Sequence, residues 1–269
     1  MIPTVSHEYV VCETCDTPLV YVFDLDGTLY PVSNGYEAAC KERVFNYMVD
    51  TLRCAPTILD AKQLWLKGFE KYHQSLKTLR ALGASFNEDE YWTFIRGDCS
   101  AVLTPSKETR EFIRRLPGKK YVFTNCHEKQ ALEALRVLDL ADCFDGILGA
   151  HKMGDCCKPE VEAFQLMLAE FDIKDPSHCI FFEDSIVNLQ TASSKFNMTT
   201  ILVTSPNLPF DELQQILAED YVDGVVVGQN NLLKCLNPLR PDSDKLLKPR
   251  AVAALSRTRS VTAGDIRRE

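Results

Sequence analysis

Six short, almost wholly apolar runs, separated by helix-length segments, restrict this chain more than any other feature. They are Leu19–Phe23, Lys120–Thr124, Gly146–Leu148, His178–Phe182, Thr200–Val203 and Gly224–Val227. Runs apolar at consecutive rather than alternate positions read as strands covered on both faces, and that cover comes from crossover helices. The intervening segments supply them. Leu132, Leu135 and Leu138 recur at helical spacing, as do Val161, Phe164, Leu168 and Phe171, and then Ile186, Leu189, Ala192 and Phe196. Alternation of strand and helix predicts an α/β fold, a doubly wound parallel sheet. Ligands in such sheets bind beyond the carboxyl ends of the strands.

Between 33 and 103 the pattern is helical alone, with Tyr36 to Thr51 and Ile58 to Arg80 as long helices. The expected division is a catalytic core over 1–32 and 104–237 and an inserted helical cap over 33–103, placed where it can close over the strand ends. The segment 238–269 carries eight Lys and Arg against four Asp and Glu, with three prolines and few large apolar groups. It reads as a disordered basic tail.

With 45% apolar residues in 269, the chain can bury a core. Its net charge of -8 and pI near 5.3 argue against nucleic acid or an anionic membrane as the main partner. An anionic substrate therefore has to be met by positive charge gathered locally. Eleven cysteines follow no spaced framework, the first residues lack a basic-then-apolar leader, and no apolar run nears a bilayer span. The expectation is a reduced, soluble, cytoplasmic protein.

The first strand delivers Asp24-Leu25-Asp26-Gly27-Thr28, two carboxylates that lean the same way on an extended chain and repel unless a cation or proton intervenes. Three more polar groups end later strands. Thr124-Asn125 offers a hydroxyl and free amides near a helix start at His127, which suits either an anion or an ordinary N-cap. Lys158-Pro159 sets a lysine at the entrance to the next helix, where the helix dipole opposes it unless an anion sits nearby. Glu183-Asp184-Ser185 feeds another helix, with Ser185 available to cap it and Asp184 to complete a metal site with Asp24 and the backbone of Asp26. Oxygen ligands and few carboxylates suit Mg2+. Cys12 and Cys15 have a metal-like spacing but no second pair, and Cys156 and Cys157 are adjacent.

Taken in order, each on a strand end, these four segments resemble the four motifs of the haloacid dehalogenase superfamily of phosphotransferases, over roughly Val20 to Val227. The insertion is similar to that superfamily's helical cap of the first type. Tyr30 after Gly27-Thr28-Leu29, the stretch Tyr91 to Gly97, and Phe123-Thr124-Asn125 look most like the pyrimidine 5'-nucleotidase group.

The resemblance implies Asp24 as nucleophile, forming an aspartyl phosphate, and Asp26 as the acid that protonates the leaving alkoxide and the base that then activates water. It implies Thr124 and the Asn125 amide on the phosphate oxygens, Lys158 offsetting the gathered charge, and Mg2+ on Asp24, Asp26 and Asp184, with Glu183 in support. Dehalogenases of the superfamily lack the second aspartate, so Asp26 favours phosphate esters.

The expected activity is hydrolysis of a small phosphate monoester, a nucleoside 5'-monophosphate such as UMP or CMP. A sugar-phosphate phosphatase or phosphomutase is the alternative, and a phospho-accepting signalling receiver is one of another class. Tyr36, Trp92, Phe94 and Arg96 could face a base or sugar, or Trp92 and Phe94 could pack the cap.

Overall fold

The computed structural model describes residues 11–12, 15–232 and 247–256. A short hairpin pairs Val11–Cys12 with Cys15–Pro18. The apolar runs then form one sheet: β1 (Val20–Phe23), β2 (Lys119–Phe123), β3 (Gly146–Leu148), β4 (Cys179–Glu183), β5 (Thr199–Thr204) and β6 (Gly224–Val227). All neighbours are parallel, in the order β3-β2-β1-β4-β5-β6. The chain winds one way from β1 to β3 and the other from β4 to β6. Loops leaving β1 and β4 therefore diverge and open a crevice at the carboxyl ends of those strands.

Helices follow as α1 (Tyr36–Asn46), α2 (Ile58–Tyr72), α3 (Ser75–Ala81), α4 (Glu88–Arg96), α5 (Lys107–Arg115), α6 (Glu128–Val137), α7 (Ala150–Met153), α8 (Val161–Glu170), α9 (Ile186–Phe196), α10 (Phe210–Ala218) and α11 (Pro249–Ser256). The pleat of β1 sends alternate side chains to opposite faces. Tyr21 and Phe23 join a cluster with Phe112 of α5 and Leu135 of α6, whereas Val20 and Val22 join one with Phe164 of α8 and Leu189 of α9. All four residues of β1 are buried, as its consecutive apolar run requires. Phe23 stacks on Phe182 at 4.5 Å between ring centroids, which ties β1 to β4 beneath the crevice.

Helices α1 to α4 lie between β1 and β2 in sequence and share the first cluster through Tyr36, Val44, Trp65, Leu76, Tyr91 and Ile95. The long helix expected from Ile58 to Arg80 is two. His73 takes a left-handed conformation at φ 53° and Gln74 is extended, so α3 folds back on α2. Gly68 permits that approach, because a Cβ there would lie 2.3 Å from the Thr78 methyl. Trp65 Nε1 donates to Ser75 Oγ at 2.9 Å across the break.

The expectation of a disordered tail over 238–269 fails for 247–256. Leu247 bridges Gly224 in antiparallel fashion, and Ala251, Ala254 and Leu255 of α11 are buried in the first cluster. Small alanines pack closely against a sheet without the large apolar groups the sequence reading looked for. The remainder of that segment lies outside the described residues. Among the described residues no helix is long and apolar enough to cross a membrane.

Candidate active site

The register assembles the site. Phe23 pairs with Val122 on one side and Phe182 on the other, so Asp24 is level with Glu183, and Thr124 stands one step beyond. The Asp24 N–H still donates to the Phe182 carbonyl at 2.9 Å, extending the ladder to the last residue before the turn. Asp24, Asp26, Thr124, Asn125, Lys158, Glu183 and Asp184 all line one cleft of about 300 Å³.

The cleft floor is a buried ionic cluster. Lys158, 1% exposed, donates from Nζ to Asp24 Oδ1 at 2.7 Å and to Glu183 Oε2 at 2.6 Å. Its ammonium also lies 5.2 Å from the Phe123 ring centroid and 5.6 Å from that of Phe181. Burial works to lower its pKa, yet the two carboxylates hold it above the ordinary lysine value. Glu183 Oε2 further accepts from Asn188 Nδ2 at 3.0 Å, and its Oε1 accepts from the N–H groups of Asp184 and Ser185, each at 3.1 Å. Ser185 makes no side-chain capping bond, contrary to expectation. The Glu183 carboxylate, placed beside the positive end of α9, takes the two amides that lead into the helix.

One lysine cannot neutralise three acids. Asp24, Glu183 and Asp184 bring one carboxylate oxygen each within 4.8 Å of one another. Burial and then the like charge of Glu183 push the Asp24 carboxyl well above its usual range, against the pull of Lys158. Burial, Glu183 and Asp24 push Asp184 up to about 10. An all-oxygen, charge-excess donor set suits a hard divalent cation. Gly27, at φ 76°, leaves room for it: a Cβ there would lie 2.2 Å from Asp184 Oδ2.

A stability prediction follows from that excess charge. A carboxyl whose proton affinity rises on folding holds more protons folded than unfolded. Stability is therefore expected to fall as pH rises from the ordinary aspartate value near ~4 toward about 10 for Asp184. Thermal unfolding of chelator-treated protein should show Tm declining from pH 5 to 9. At pH 8, Mg2+ at a hundredfold excess over its dissociation constant should raise Tm by roughly 5–10 °C. A Tm at pH 8 that ignores divalent cations would count against the cluster as a cation site.

Asp26 departs from the expected arrangement. Because β1 ends at Phe23 and a turn starts at Asp26, the strand alternation does not carry through. The Asp26 carboxylate leaves the Asp24 cluster and is clasped by Arg96, with Nη2 at 2.8 Å from Oδ1 and Nη1 at 3.1 Å from Oδ2, and it also accepts from the Tyr30 hydroxyl. Gln229 Nε2 donates to the Gly27 carbonyl at 2.7 Å and steadies the turn.

Thr124 is buried, and its hydroxyl accepts from the Cys126 N–H at 3.0 Å, while His127 Nδ1 caps α6 by accepting from Lys129 N–H at 3.1 Å. Thr124 is thus no helix cap. The Asn125 side chain grips the Lys158 backbone in both directions, donating at 3.0 Å and accepting at 2.8 Å. Pro159 lies before the helix rather than in its first turn, since α8 begins at Val161 after an N-cap at Glu160, and the Lys158–Pro159 peptide is cis.

Of the aromatic candidates, Trp92 lines the cleft, whereas Tyr36 lies beneath the Arg96 guanidinium at 4.8 Å and Phe94 is 47% exposed against Tyr47. Gln74, Asn188, Gln229 and Glu37 were not expected at the site, and Tyr30, noted only for the resemblance it carries, proves to hold Asp26. Glu37 lines the cleft with a buried, unpartnered Oε1, and burial followed by the Asp26 charge pushes it up to about 7. Its signal was slight, an acid in the first turn of α1 that any helix favours.

An acid at the sheet's switch point, a buried lysine and an oxygen-rich cluster thus stand together at the strand ends of a doubly wound α/β protein. Residues 19–194 match the haloacid dehalogenase-like hydrolases, and the chain belongs to that family. "Phosphate metabolism protein 8" of Saccharomyces cerevisiae is 25% identical over 189 residues, covering 65% of this chain and 58% of that protein. The chain thus matches little more than half the length of that relative.

Two solved structures share the fold. A HAD phosphatase from Thermococcus onnurineus has a TM-score of 0.56 at 16% identity, covering 81% of this chain and 98% of its own. L-2-haloacid dehalogenase from Xanthobacter autotrophicus has a TM-score of 0.51 at 18% identity, covering 82% and 99%.

Proposed function

We propose that the protein is a magnesium-dependent phosphatase that hydrolyses a small phosphate monoester through an aspartyl phosphate on Asp24. The observation that carries this reading is the Lys158 bridge between Asp24 and Glu183 at the switch point, beside an Asp184 that has no cation partner among the described residues. Lys158 holds one Asp24 oxygen, which leaves the other to attack phosphorus. As the new O–P bond forms and the ester P–O bond breaks, Asp26 gives its proton to the departing alkoxide. Asp26 then takes a proton from water as water attacks the phosphoaspartate. Thr124 and the Asn125 amide would receive phosphate oxygens.

In this reading Asp24, Asp184 and the Asp26 carbonyl would hold Mg2+, which when bound would lessen the repulsion between nucleophile and phosphate. The helical segment 33–103 serves as the cap in this reading. Gln74 of that segment already reaches the opposite wall, donating to the Asn125 carbonyl at 3.0 Å. Trp65, Phe69, His73 and Trp92 give the outer cleft aromatic walls. Such walls suit a nucleoside 5'-monophosphate, whose base stacks on rings.

Incubation with a panel of nucleotides, sugar phosphates and p-nitrophenyl phosphate, each with Mg2+ and with chelator, tests the proposal. Phosphate release that depends on Mg2+ and favours nucleoside 5'-monophosphates is expected. No release from any ester sinks the phosphatase reading, and preference for sugar phosphates sinks the nucleotide reading alone.

A further inference from the structure

We propose that Arg96, carried by the helical segment rather than by the sheet, is the positioning residue for Asp26. The inference rests on Asp26 being the proton-transfer group.

Lys158 and Arg96 serve different acids. Lys158 holds Asp24 and Glu183, and Arg96 holds Asp26 through both guanidinium Nη atoms, one on each carboxylate oxygen. The two sets do not mix, and the cluster of oxygens fit for a cation excludes the Asp26 carboxylate. Without its clasp, Asp26 sits on a turn with a side chain 23% exposed, no strand to fix its rotamer and the Tyr30 hydroxyl on one oxygen alone. It could rotate toward the cation cluster or toward solvent. Arg96 sets the plane of the carboxylate, which a forked guanidinium does and a single ammonium does not.

Arg96 is itself immobilised. It is 6% exposed, and its guanidinium lies 4.8 Å over the Tyr36 ring. Its carbonyl accepts from Tyr36 Oη at 2.8 Å, and the preceding Ile95 carbonyl accepts from Arg43 Nη1 at 2.8 Å. The last turn of α4 is therefore pinned to α1, and the clasp transmits the seat of these helices to the acid. Proton-transfer groups contribute about 10²- to 10⁴-fold when placed within hydrogen-bond reach, and displacement by about 1 Å can cost 10²-fold.

The test is leaving-group dependence. An alkoxide needs a proton as it departs and p-nitrophenolate does not, so the ratio of kcat/KM for an alkyl phosphate to that for p-nitrophenyl phosphate reads the service Asp26 performs. The alkyl ester is the best-hydrolysed member of the panel above. Both kinetic constants come from one preparation, so any unfolded fraction cancels in the ratio.

Asp26→Asn should lower the ratio by about 10²- to 10⁴-fold. Arg96→Lys and Arg96→Ala should each lower it by at least about tenfold, with the lysine variant recovering little. If Asp26→Asn leaves the ratio unchanged, the assignment of Asp26 fails and this inference with it. If Asp26→Asn lowers the ratio but both Arg96 variants lose equally on the two esters, or lose nothing, Arg96 has no role through Asp26 and only this inference is overturned.

Discussion

Asp24→Asn is expected to lower kcat by roughly 10⁴- to 10⁶-fold, the scale on which loss of a covalent nucleophile acts, and at the same time to raise the Tm of the metal-free protein. Asparagine keeps the shape of the side chain, but it has no anionic oxygen to attack phosphorus. Its neutral amide also removes one of three like charges from a cluster in which burial and Glu183 already raise the Asp24 pKa. Lys158 would keep Glu183 as its partner at 2.6 Å. The paired signature separates chemistry from folding, because a merely damaged protein loses rate and stability together. Steady-state kinetics with Mg2+ and a thermal melt with chelator measure the two. Hydrolysis within tenfold of wild type would remove Asp24 from its role.

Lys158→Met should act in the opposite sense on stability. Methionine fills much of the volume between Phe123 and Phe181, so packing is largely kept while the charge is lost. Asp24 and Glu183 are then left buried without their ammonium, and breaking a buried pair costs about 3–5 kcal/mol. Urea unfolding of the chelated protein reads this loss from the midpoint at constant slope. Adding Glu183→Gln should restore part of it, since the second substitution removes one of the stranded charges. A loss below about 1 kcal/mol, or no recovery in the double variant, would show that the ionic cluster is not what holds Lys158.

Sequence and structure agree most closely where local pattern is enough. Consecutive apolar residues at 19–23 and 179–182 could be satisfied only by burial on both faces, and the strands formed at Val20–Phe23 and Cys179–Glu183. Asp24, Thr124 and Asp184 were legible because each closes or follows such a run, and a doubly wound sheet gathers its strand ends. Lys158, expected on a strand end as well, instead lies between α7 and α8 and reaches Asp24 from that loop. Other features depended on contacts that no local pattern encodes. The break at His73 needed the close approach of Gly68 to Thr78, and α11 needed an alanine face matched to the sheet. Ser185 looked like a cap by residue type, but its hydroxyl makes no capping bond, and the Glu183 carboxylate takes the Asp184 and Ser185 amides that lead into α9.

The sequence by itself determined the α/β sheet, the order of the acids, hydroxyl and lysine along its edge, and the presence of two aspartates two residues apart. Those follow from periodicity and from side chains within a few positions of one another. Only the tertiary structure decided that the two aspartates part company, Asp24 to Lys158 across 134 positions of chain and Asp26 to Arg96 across 70. The strand ends before Asp26, and the turn redirects its carboxylate toward a helix whose seat is set by packing against Tyr36 and Arg43. Ion pairing of that range is a property of the folded core, and no spacing rule within the motif could have supplied it.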